Sequence, residues 1–381
     1  MNDYHRHVFL NGFLRSGTTL LEKLLHNHPD ICIGAQPFPY LYYHVKEQFF
    51  HARGIEQRRY PLGTLFLEDD YSQDEFHTFL KNYNVSVDEV ANVLLQMEGY
   101  SGQLTQDLIS SPGEITSGSF FEIYKCLTAR VAALVKKNSV GFHGAKEVFC
   151  EEFIPYFLDN GVKVINIIRE PRDMLASVNF GKGGEYTGNL PTLYLLLKWR
   201  KSVAFSLRFE DHPGFTSVFY EDLVKNTWEV LDRLTAFLDL EPMSRQTFSE
   251  GIRDQYGELW QGNSSFNSYQ FVSDQSIGKY KKVLSEDIIR FLENICYPEM
   301  KALHYDRQFC KDGPQEEIVL SFRDPMCPVN SEEMKKIGLN SSCLDNEIKR
   351  YNLLLTQVDD HEATRWFIFP EVYRLLKQVI L

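Results

Sequence analysis

Near the start of the chain, the spacing of the apolar residues changes across a short loop. Val8 to Leu10 form an uninterrupted apolar run, which is typical of a buried strand. After Gly17 the apolar residues recur at the spacing of one helix face, at Leu20, Leu21, Leu24 and Leu25. The pattern therefore predicts a strand, a loop and a helix at the start of the chain.

Strands and helices continue to alternate as far as about residue 238. The predicted strands are Ile31–Gly34, Val140–Lys146, Val162–Ile168 and Phe215–Tyr220, and the predicted helices are Ser119–Lys137 and Trp228–Leu238. Such alternation predicts an α/β fold in which a parallel sheet is flanked by helices on both faces. In folds of this type ligands bind at the carboxyl ends of the strands.

Two long segments fall outside this alternation. Residues 36–118 are aromatic-rich and irregular, with helical periodicity near 73–82 and 87–97, and a long insertion of this kind is where such a fold builds an acceptor pocket or a lid. Residues 312–381 form a C-terminal extension, with a predicted strand at Ile318–Phe322 and predicted helices at Leu344–Leu355 and Phe369–Leu381. Because the last three residues are apolar, we expect the extension to pack on the core or on a second subunit of a homodimer.

Composition narrows the class of protein. A hydrophobic content of 43% and a charged content of 24% are typical of a globular protein. The net charge of -12 argues against a nucleic-acid partner, which requires a basic face. Seven scattered cysteines without a C-x-x-C pair, no leader pattern and no run of eighteen apolar residues predict a reduced, cytoplasmic protein without membrane contact.

The loop between the first strand and helix has the chemistry of an anion site. Gly12 and Gly17 bracket it, and glycines allow backbone N–H groups and a helix N-terminus to converge on a phosphate. A nucleoside-triphosphatase loop would continue after Gly17 with Lys and then Ser or Thr, which holds Mg²⁺, whereas Thr18 and Thr19 follow here. The cation is Arg15, inside the loop. The sequence therefore predicts an anion site without a metal.

Two further cations follow predicted strands. Lys146 ends one strand and Arg169 directly follows another, so both are expected at the same edge of the sheet as Arg15. This coincidence predicts one shared anionic site.

With these positions assembled, the chain resembles the sulfotransferases that use 3'-phosphoadenosine 5'-phosphosulfate (PAPS), and most closely the bacterial small-molecule and tyrosylprotein branch. Five segments carry the resemblance: Asn11–Leu21 with its Arg-Ser-Gly-Thr-Thr core, Ile168–Ser177, Tyr220–Leu223, Ser276–Ser285 and Tyr297–Met300. In the fourth segment Tyr280 replaces the family's Trp. The resemblance covers about residues 5 to 306 and implies a phosphate-loop sulfotransferase domain over residues 1–311.

The resemblance implies a role for each motif. Arg15, Ser16, Gly17, Thr18 and Thr19 would bind the 5'-phosphosulfate, and Arg169 and Ser177 would bind the 3'-phosphate. Tyr220 would lie near the adenine, and Gly278, Lys279 and Tyr280 would close over the cofactor. Lys146 resembles the lysine that stabilises the bridging oxygen as it leaves, and the product would be 3',5'-adenosine bisphosphate (PAP). The N-terminus of the helix at Pro171 is a further candidate for the 3'-phosphate.

The general base is not inherited from the family. Val148 stands where cytosolic relatives have histidine, and Gln36 stands nearest to the catalytic glutamate of tyrosylprotein relatives. The remaining candidates are His143, Glu147 and Glu122, followed by His44 and Glu47. A regular strand would direct His143 and Lys146 to opposite faces, and Glu147 could simply pair with the lysine.

Three functions remain open on the sequence. The first is direct in-line transfer, without a metal, of the sulfuryl group of PAPS to a hydroxyl or nitrogen of a small acceptor that resembles a secondary metabolite, for which the acidic chain favours a cation. The second is a phosphate-loop phosphotransferase resembling nucleotide kinases, and the third is a non-catalytic protein that binds PAPS or PAP.

Overall fold

The computed structural model describes residues 6–54, 72–98, 105–110, 114–135, 137, 140–179, 190–262, 271–325 and 342–381. The described chain divides into two compact units. The first lies within Met1–Gln57, Asp74–Ile168 and Glu210–Asp274, and the second within Arg58–Gln73, Arg169–Phe209 and Gln275–Leu381.

The strands belong to the first unit. They are β1 Arg6–Gly12, β2 Ile31–Ala35, β3 Asn84–Val85, β4 Gly118–Ser119, β5 Phe142–Lys146, β6 Lys163–Ile168 and β7 Phe215–Phe219.

The helices before residue 240 are α1 Thr18–His26, α2 Pro39–Ala52, α3 Gln73–Asn82, α4 Val87–Gln96, α5 Thr105–Ser110, α6 Phe120–Leu134, α7 Ile154–Asp159, α8 Pro171–Asn179, α9 Thr192–Phe209, α10 Tyr220–Lys225 and α11 Thr227–Phe237. Those that follow are α12 Tyr280–Val283, α13 Glu286–Ile295, α14 Tyr297–Ala302, α15 Glu316–Ser321, α16 Ser342–Leu354, α17 Asp360–Phe367 and α18 Pro370–Ile380.

A five-stranded parallel sheet is the centre of the first unit. Its order is β2-β5-β1-β6-β7, and β3 and β4 form a separate antiparallel pair. In the register of the sheet Lys146 pairs with Leu10 on one side and with Ala35 on the other, while Gly12 pairs with Ile167. The parallel α/β fold predicted from the sequence is therefore confirmed, and the last residues of β1, β2 and β5 meet at one edge.

The centre of the sheet is buried because β1 and β6 carry apolar residues on both faces. Val8, Phe9 and Leu10 of β1 are fully buried, and so are Val164 and Ile165 of β6. Helices flank the sheet, with α1 packing on β2 and β5, α6 on β2 and β5, and α7 on β6. Continuous apolar strands of this kind are expected where helices cover a parallel sheet.

Aromatic side chains form much of the core between the sheet and the insertion. The ring of Phe9 lies 4.5 Å from that of Phe157 and 6.0 Å from that of Tyr42. Tyr42 also contacts Phe153, at 5.0 Å between ring centroids. Its helix, α2, was not predicted, because aromatic residues have only modest helix propensity and here burial decides the conformation. The helical pieces predicted near 73–82 and 87–97 are confirmed as α3 and α4.

The second unit is helical in its described part. Helix α9 is buried over most of its length, and α14 and α18 pack together and α18 packs on α9. Two buried ion pairs join the C-terminal helices to this unit: Arg200 with Glu347, and Arg350 with Glu299 at 2.6 Å. Breaking a buried pair of this type by removing one partner typically costs about 3–5 kcal/mol.

The C-terminal extension differs from the sequence prediction in two places. The predicted strand Ile318–Phe322 is wrong: the segment forms helix α15, with Glu316 and Glu317 in its first turn, where the helix dipole favours carboxylates. The final residue, Leu381, is 78% exposed although Val372, Tyr373 and Leu376 of α18 are buried. The predicted helices at 344–355 and 369–381 are confirmed as α16 and α18.

Candidate functional site

The loop between β1 and α1 adopts an unusual backbone. Arg15 has φ +61° and Gly17 has φ +90°, and both values lie in the left-handed region. The Ser16 amide donates a hydrogen bond to the Phe13 carbonyl at 3.2 Å, which tightens the turn. Gly17 has no side chain with which to cap the first-turn amides of α1. The geometry therefore fits an anion at the N-terminus of this helix, as the sequence predicts.

The aromatic ring of Tyr220 covers this loop. A Cβ atom added to Gly17 would lie 2.4 Å from Tyr220 Cδ2 and 2.8 Å from Cε2. Tyr220 begins α10 and is itself 8% exposed. The structure thus brings together two motifs that are about 200 positions apart, and it gives Gly17 a steric reason to lack a side chain in addition to its backbone conformation.

Lys146 lies at the carboxyl edge of the sheet and is held by Gln36. Its Nζ donates a hydrogen bond to Gln36 Oε1 at 3.1 Å, and its carbonyl accepts one from the Gln36 amide at 2.8 Å. Gln36 itself has φ +49°, a left-handed conformation that is rare for a residue with a side chain. Lys146 is therefore in direct contact with a neutral amide, that of Gln36.

Burial sets the charge of Lys146. Removal from water lowers the pKa of Lys146 to about 8, and the carboxylates of Glu22 and Glu147 oppose this shift while Lys23 adds to it. The ammonium form of Lys146 therefore predominates below about pH 8 and the neutral amine above it.

Sequence reasoning missed a pair of charges on α1. Glu22 and Lys23 are both fully buried, and Lys23 Nζ lies 3.2 Å from the Glu22 carboxylate and 2.7 Å from Gln255 Oε1. Burial raises the pKa of Glu22, with Lys23 and Lys146 opposing the shift. Two charged residues between the leucines of a core-facing helix were the available signal, since such groups are rarely buried without partners.

Two of the candidate bases lie inside the core. Glu147 is fully buried, and neither carboxyl oxygen has a hydrogen-bond partner among the described residues. Burial raises the pKa of Glu147 to about 8, against the effect of Lys146 and Lys46. His143 is 3% exposed, and its ring lies 6.4 Å from that of His7. A role for either residue as a base stays a prediction.

The other candidate bases have structural contacts of their own. The Glu122 carboxylate accepts a hydrogen bond from the Ser119 amide at 2.7 Å and so caps α6, and this contact lowers the pKa of Glu122. His44 Nε2 lies 3.0 Å from Glu89 Oε1. Glu47 is half-buried on the same helix as His44.

The second unit contains the motif that begins at Arg169. Arg169 is 5% exposed, its guanidinium donates to the Ser276 carbonyl at 3.1 Å, and its own carbonyl accepts from Trp199 Nε1 at 2.8 Å. Ser177 is buried on α8. The structure therefore brings the start of this motif to the segment that contains Gly278.

The N-terminus of α8 is already partly occupied. The Glu170 carboxylate accepts a hydrogen bond from the Asp173 amide at 3.0 Å, and Pro171 has no amide hydrogen to offer. Burial raises the pKa of Glu170 to about 7, while Arg172, which donates to its carboxylate at 2.6 Å, opposes the shift. Recognition of a phosphate here would accordingly depend more on the side chains of Arg169 and Ser177 than on the helix end.

The segment Ser276–Tyr280 is tied to α8 through Asp173. The Asp173 carboxylate accepts hydrogen bonds from the Gly278 amide at 2.6 Å and from the Tyr280 amide at 3.0 Å. The guanidinium of Arg172 lies 4.5 Å from the centre of the Tyr280 ring. Lys279 lies between these two anchored positions and is half-buried.

The described residues contain neither a metal-binding cluster nor a helix that could span a membrane. Across the described ranges no group of three or more His, Cys, Asp or Glu side chains has the arrangement of a metal site. In the same part of the chain no helix combines the length and the apolar character that crossing a bilayer requires.

The family is shown by a match over most of the chain. The family model described as a sulfotransferase domain matches residues 5–304, so the chain belongs to the sulfotransferase family and the protein is a sulfuryl-transferring enzyme. The match ends shortly before the C-terminal extension. No curated protein matches the sequence.

Several solved structures are similar to the chain. The sulfotransferase domain from the curacin biosynthetic pathway is 19% identical, covering 80% of this chain and 99% of its own, with a TM-score of 0.43. The sulfotransferase domain from the Synechococcus PCC 7002 olefin synthase is 16% identical, covering 77% and 97%, with a TM-score of 0.40. A retinol dehydratase in complex with androsterone and inactive cofactor PAP is 15% identical, covering 77% and 80%, with a TM-score of 0.37.

The contact between Gly17 and Tyr220 generates a first prediction. Gly17→Ala should lower the melting temperature more than Gly161→Ala does, because both positions have left-handed φ values, +90° and +70°, but a Cβ has nothing within 4 Å at Gly161. The shared backbone penalty is about 1 kcal/mol, and the clash adds about 1–3 kcal/mol at Gly17 only. Thermal unfolding of the two variants measures the difference, and equal melting temperatures would contradict the contact.

The buried carboxyl of Glu147 generates a second prediction. Its pKa is raised from the ordinary 4.5 to about 8, so the folded protein binds a proton that the unfolded chain releases, and stability falls as pH rises between these values. Glu147→Gln should therefore raise the free energy of unfolding at pH 7, and the gain should grow from pH 5 to pH 8 in urea titrations.

Glu152→Gln is the matched control for this experiment. Glu152 is equally buried but lies 3.3 Å from Lys46 Nζ, so its substitution removes an ion pair and should destabilise the protein. A destabilised Glu147→Gln variant at every pH would show that its carboxylate is ionised and paired.

Proposed function

We propose that the enzyme transfers the sulfuryl group of PAPS to a hydroxyl or nitrogen of a small-molecule acceptor, by direct in-line transfer without a metal. Membership of the sulfotransferase family supports sulfuryl transfer. The observation that carries the proposal further is the position of Lys146, whose strand partner Leu10 leads in two residues to Gly12 and the loop of Arg15. An anion-binding loop and a buried lysine at one sheet edge are what transfer from an anionic donor requires.

The residues of the first unit fit the phosphosulfate end of PAPS. Arg15 carries a multi-donor guanidinium suited to phosphate or sulfate oxygens, and the first turn of α1 adds backbone amides. Thr18 and Thr19 supply hydroxyl donors on that turn. PAPS supplies the activated sulfuryl group when it is bound, and the loop would hold and orient this group for attack.

Lys146 would stabilise the negative charge that develops on the bridging oxygen. Its ammonium donates a hydrogen bond to the side-chain oxygen of Gln36 at 3.1 Å, and this neutral partner does not cancel the charge of the lysine. An effect of this type is worth most in a buried site, where water does not screen it.

Arg169 and Ser177 are proposed to bind the 3'-phosphate, and Tyr220 to lie beside the adenine. Arg169 is buried; its guanidinium is held by the Ser276 carbonyl, and its backbone carbonyl is held by Trp199 Nε1. A guanidinium fixed in this way loses little conformational entropy on binding a phosphate. Gly278, Lys279 and Tyr280 are proposed to close over the nucleotide.

The acceptor is proposed to differ from a tyrosine phenol. The glutamate of the tyrosylprotein branch is replaced by Gln36, whose side-chain oxygen already accepts from Lys146. The acidic balance of the chain, -12, favours a cationic acceptor, and an alcohol or amine metabolite fits both features. Incubation with labelled PAPS and a panel of such metabolites tests this class, and good cofactor binding without transfer to any of them would instead favour a non-catalytic nucleotide-binding protein.

A binding experiment separates the proposal from a kinase-like function. Calorimetry should show PAP binding without Mg²⁺, and this binding should be tighter than that of ATP with or without the metal. Arg169→Ala should weaken PAP binding by about 2 kcal/mol, or roughly thirtyfold, because a charge-assisted phosphate contact is lost.

Arg290→Ala is the control for Arg169→Ala. It removes the same charge from the same unit, at a residue whose ion pair with Glu286 is exposed. Tight Mg²⁺-dependent ATP binding would defeat the proposed function, and an unchanged PAP dissociation constant in Arg169→Ala would defeat the 3'-phosphate assignment alone.

The pKa of Lys146 predicts a pH dependence of turnover. Since the proposed role needs the ammonium form and the pKa is lowered to about 8, the turnover number should fall as pH rises through about 8. Lys146→Arg keeps a charge that does not titrate in this range, so any residual activity should lack this fall. Lys146→Ala should reduce turnover far more than PAP affinity. Equal losses of turnover and affinity would place the lysine in ground-state binding.

A further inference from the structure

We propose that Asp173 is a positioning residue for nucleotide binding, which holds the segment Ser276–Tyr280 in place before the nucleotide arrives. The inference rests on the proposed function, because it assigns that segment to the PAPS site. It concerns a residue with no expected contact to the nucleotide.

The carboxylate of Asp173 is fully used by the segment. One oxygen accepts from the Gly278 amide at 2.6 Å and the other from the Tyr280 amide at 3.0 Å. The residue is 2% exposed, so water competes little for these bonds. Hydrogen bonds from amides to a buried carboxylate are charge-assisted and stronger than those to a neutral acceptor.

The turn of the segment is shaped to present both amides. Gly278 has φ +73°, and a Cβ added there would have nothing within 4 Å, so the backbone conformation and not crowding is what requires glycine. This turn directs the amides on either side of Lys279 to one carboxylate. The side chain of Lys279 is thereby fixed at its base between two anchored residues.

Two neighbours of Asp173 hold the ends of the same segment. Arg169 donates to the Ser276 carbonyl at 3.1 Å, and Arg172 stacks on the Tyr280 ring at 4.5 Å. The segment Ser276–Tyr280 is therefore held at its first, third and fifth residues by side chains at the start of the proposed 3'-phosphate motif. A carboxylate beside a proposed phosphate site would repel the ligand. The two hydrogen bonds that Asp173 accepts from the segment give a reason for an acidic residue at this position.

This arrangement has a consequence for binding. A segment that is already ordered does not have to lose conformational entropy when the nucleotide binds, so affinity rises. Loosening the segment should therefore raise the KM for PAPS, while turnover at saturating PAPS should remain near that of the unaltered enzyme. A residue needed only for folding would not separate these two quantities.

The test compares Asp173→Asn with Asp287→Asn in the full chain. Asp287 also lies in the first turn of a helix of the same unit but is exposed, so the two variants share the same change of charge. Asn can accept only one of the two amides, and the loss of one charge-assisted bond should weaken PAP binding about tenfold. Hydrogen exchange of the Gly278 and Tyr280 amides in the ligand-free protein should accelerate in Asp173→Asn and not in Asp287→Asn.

Gly278→Ala provides an independent route if Asp173→Asn fails to fold. It keeps the carboxylate but strains the turn, and it should accelerate exchange of the same amides and weaken PAP binding. Wild-type PAP affinity in either variant would overturn the inference. Failure of the unaltered protein to bind PAP would overturn the proposed function instead, and faster exchange in Asp173→Asn would then still establish the anchoring of the segment.

Discussion

The parallel pairing of β1 with β5 is the interaction on which the candidate site depends. It places Lys146 opposite Leu10, just before the chain turns through the loop of Arg15. Local sequence places the loop and the lysine each at the end of a strand, but only the strand order makes them neighbours, since about 130 residues separate them in the chain. The two strands are buried together in a helix-covered sheet, where β1 contributes the apolar run Val8–Leu10, so the packing of the core and the placement of Lys146 have the same origin. The chemistry proposed for this enzyme therefore depends on the order of the strands in the sheet.

Several ionisable side chains of the first unit are buried on or near the strands and helix that form this edge. Glu22, Lys23, Lys146 and Glu147 are almost completely buried in the first unit. Burying such groups costs free energy unless they are paired, and Glu147 lacks even a hydrogen bond among the described residues. In enzymes, buried ionisable groups with shifted pKa values are commonly found near the active site, because a shifted pKa lets a group act as an acid, a base or a fixed charge. Lys146, whose pKa lies close to physiological pH, is the clearest example here.

The fold could be predicted from the sequence to a large extent, because apolar runs such as Val162–Ile168 and leucines at helical spacing, as in α1, are strong local signals. Helix α2 was missed because its stability comes from aromatic packing. Helix α15 was mistaken for a strand because the five residues Ile318–Phe322, with one serine among apolar residues, are too few to define a period. For the site, the cations at strand ends were predictable from position alone. The contacts of Gln36 with Lys146 and of Asp173 with Gly278 were not, because each joins residues more than 100 positions apart and leaves no periodic pattern.

The packing of the Tyr220 ring on Gly17 has an evolutionary consequence. A side chain at position 17 has no room while the tyrosine is present, and a smaller residue at position 220 would leave a void over the loop. Neither change is favourable alone, so acceptable substitutions at the two positions should arise together or not at all. In sequences that descend from this one, a larger residue at position 17 should therefore occur together with a smaller residue at position 220. The two positions are about 200 residues apart in the chain but are in contact in the structure.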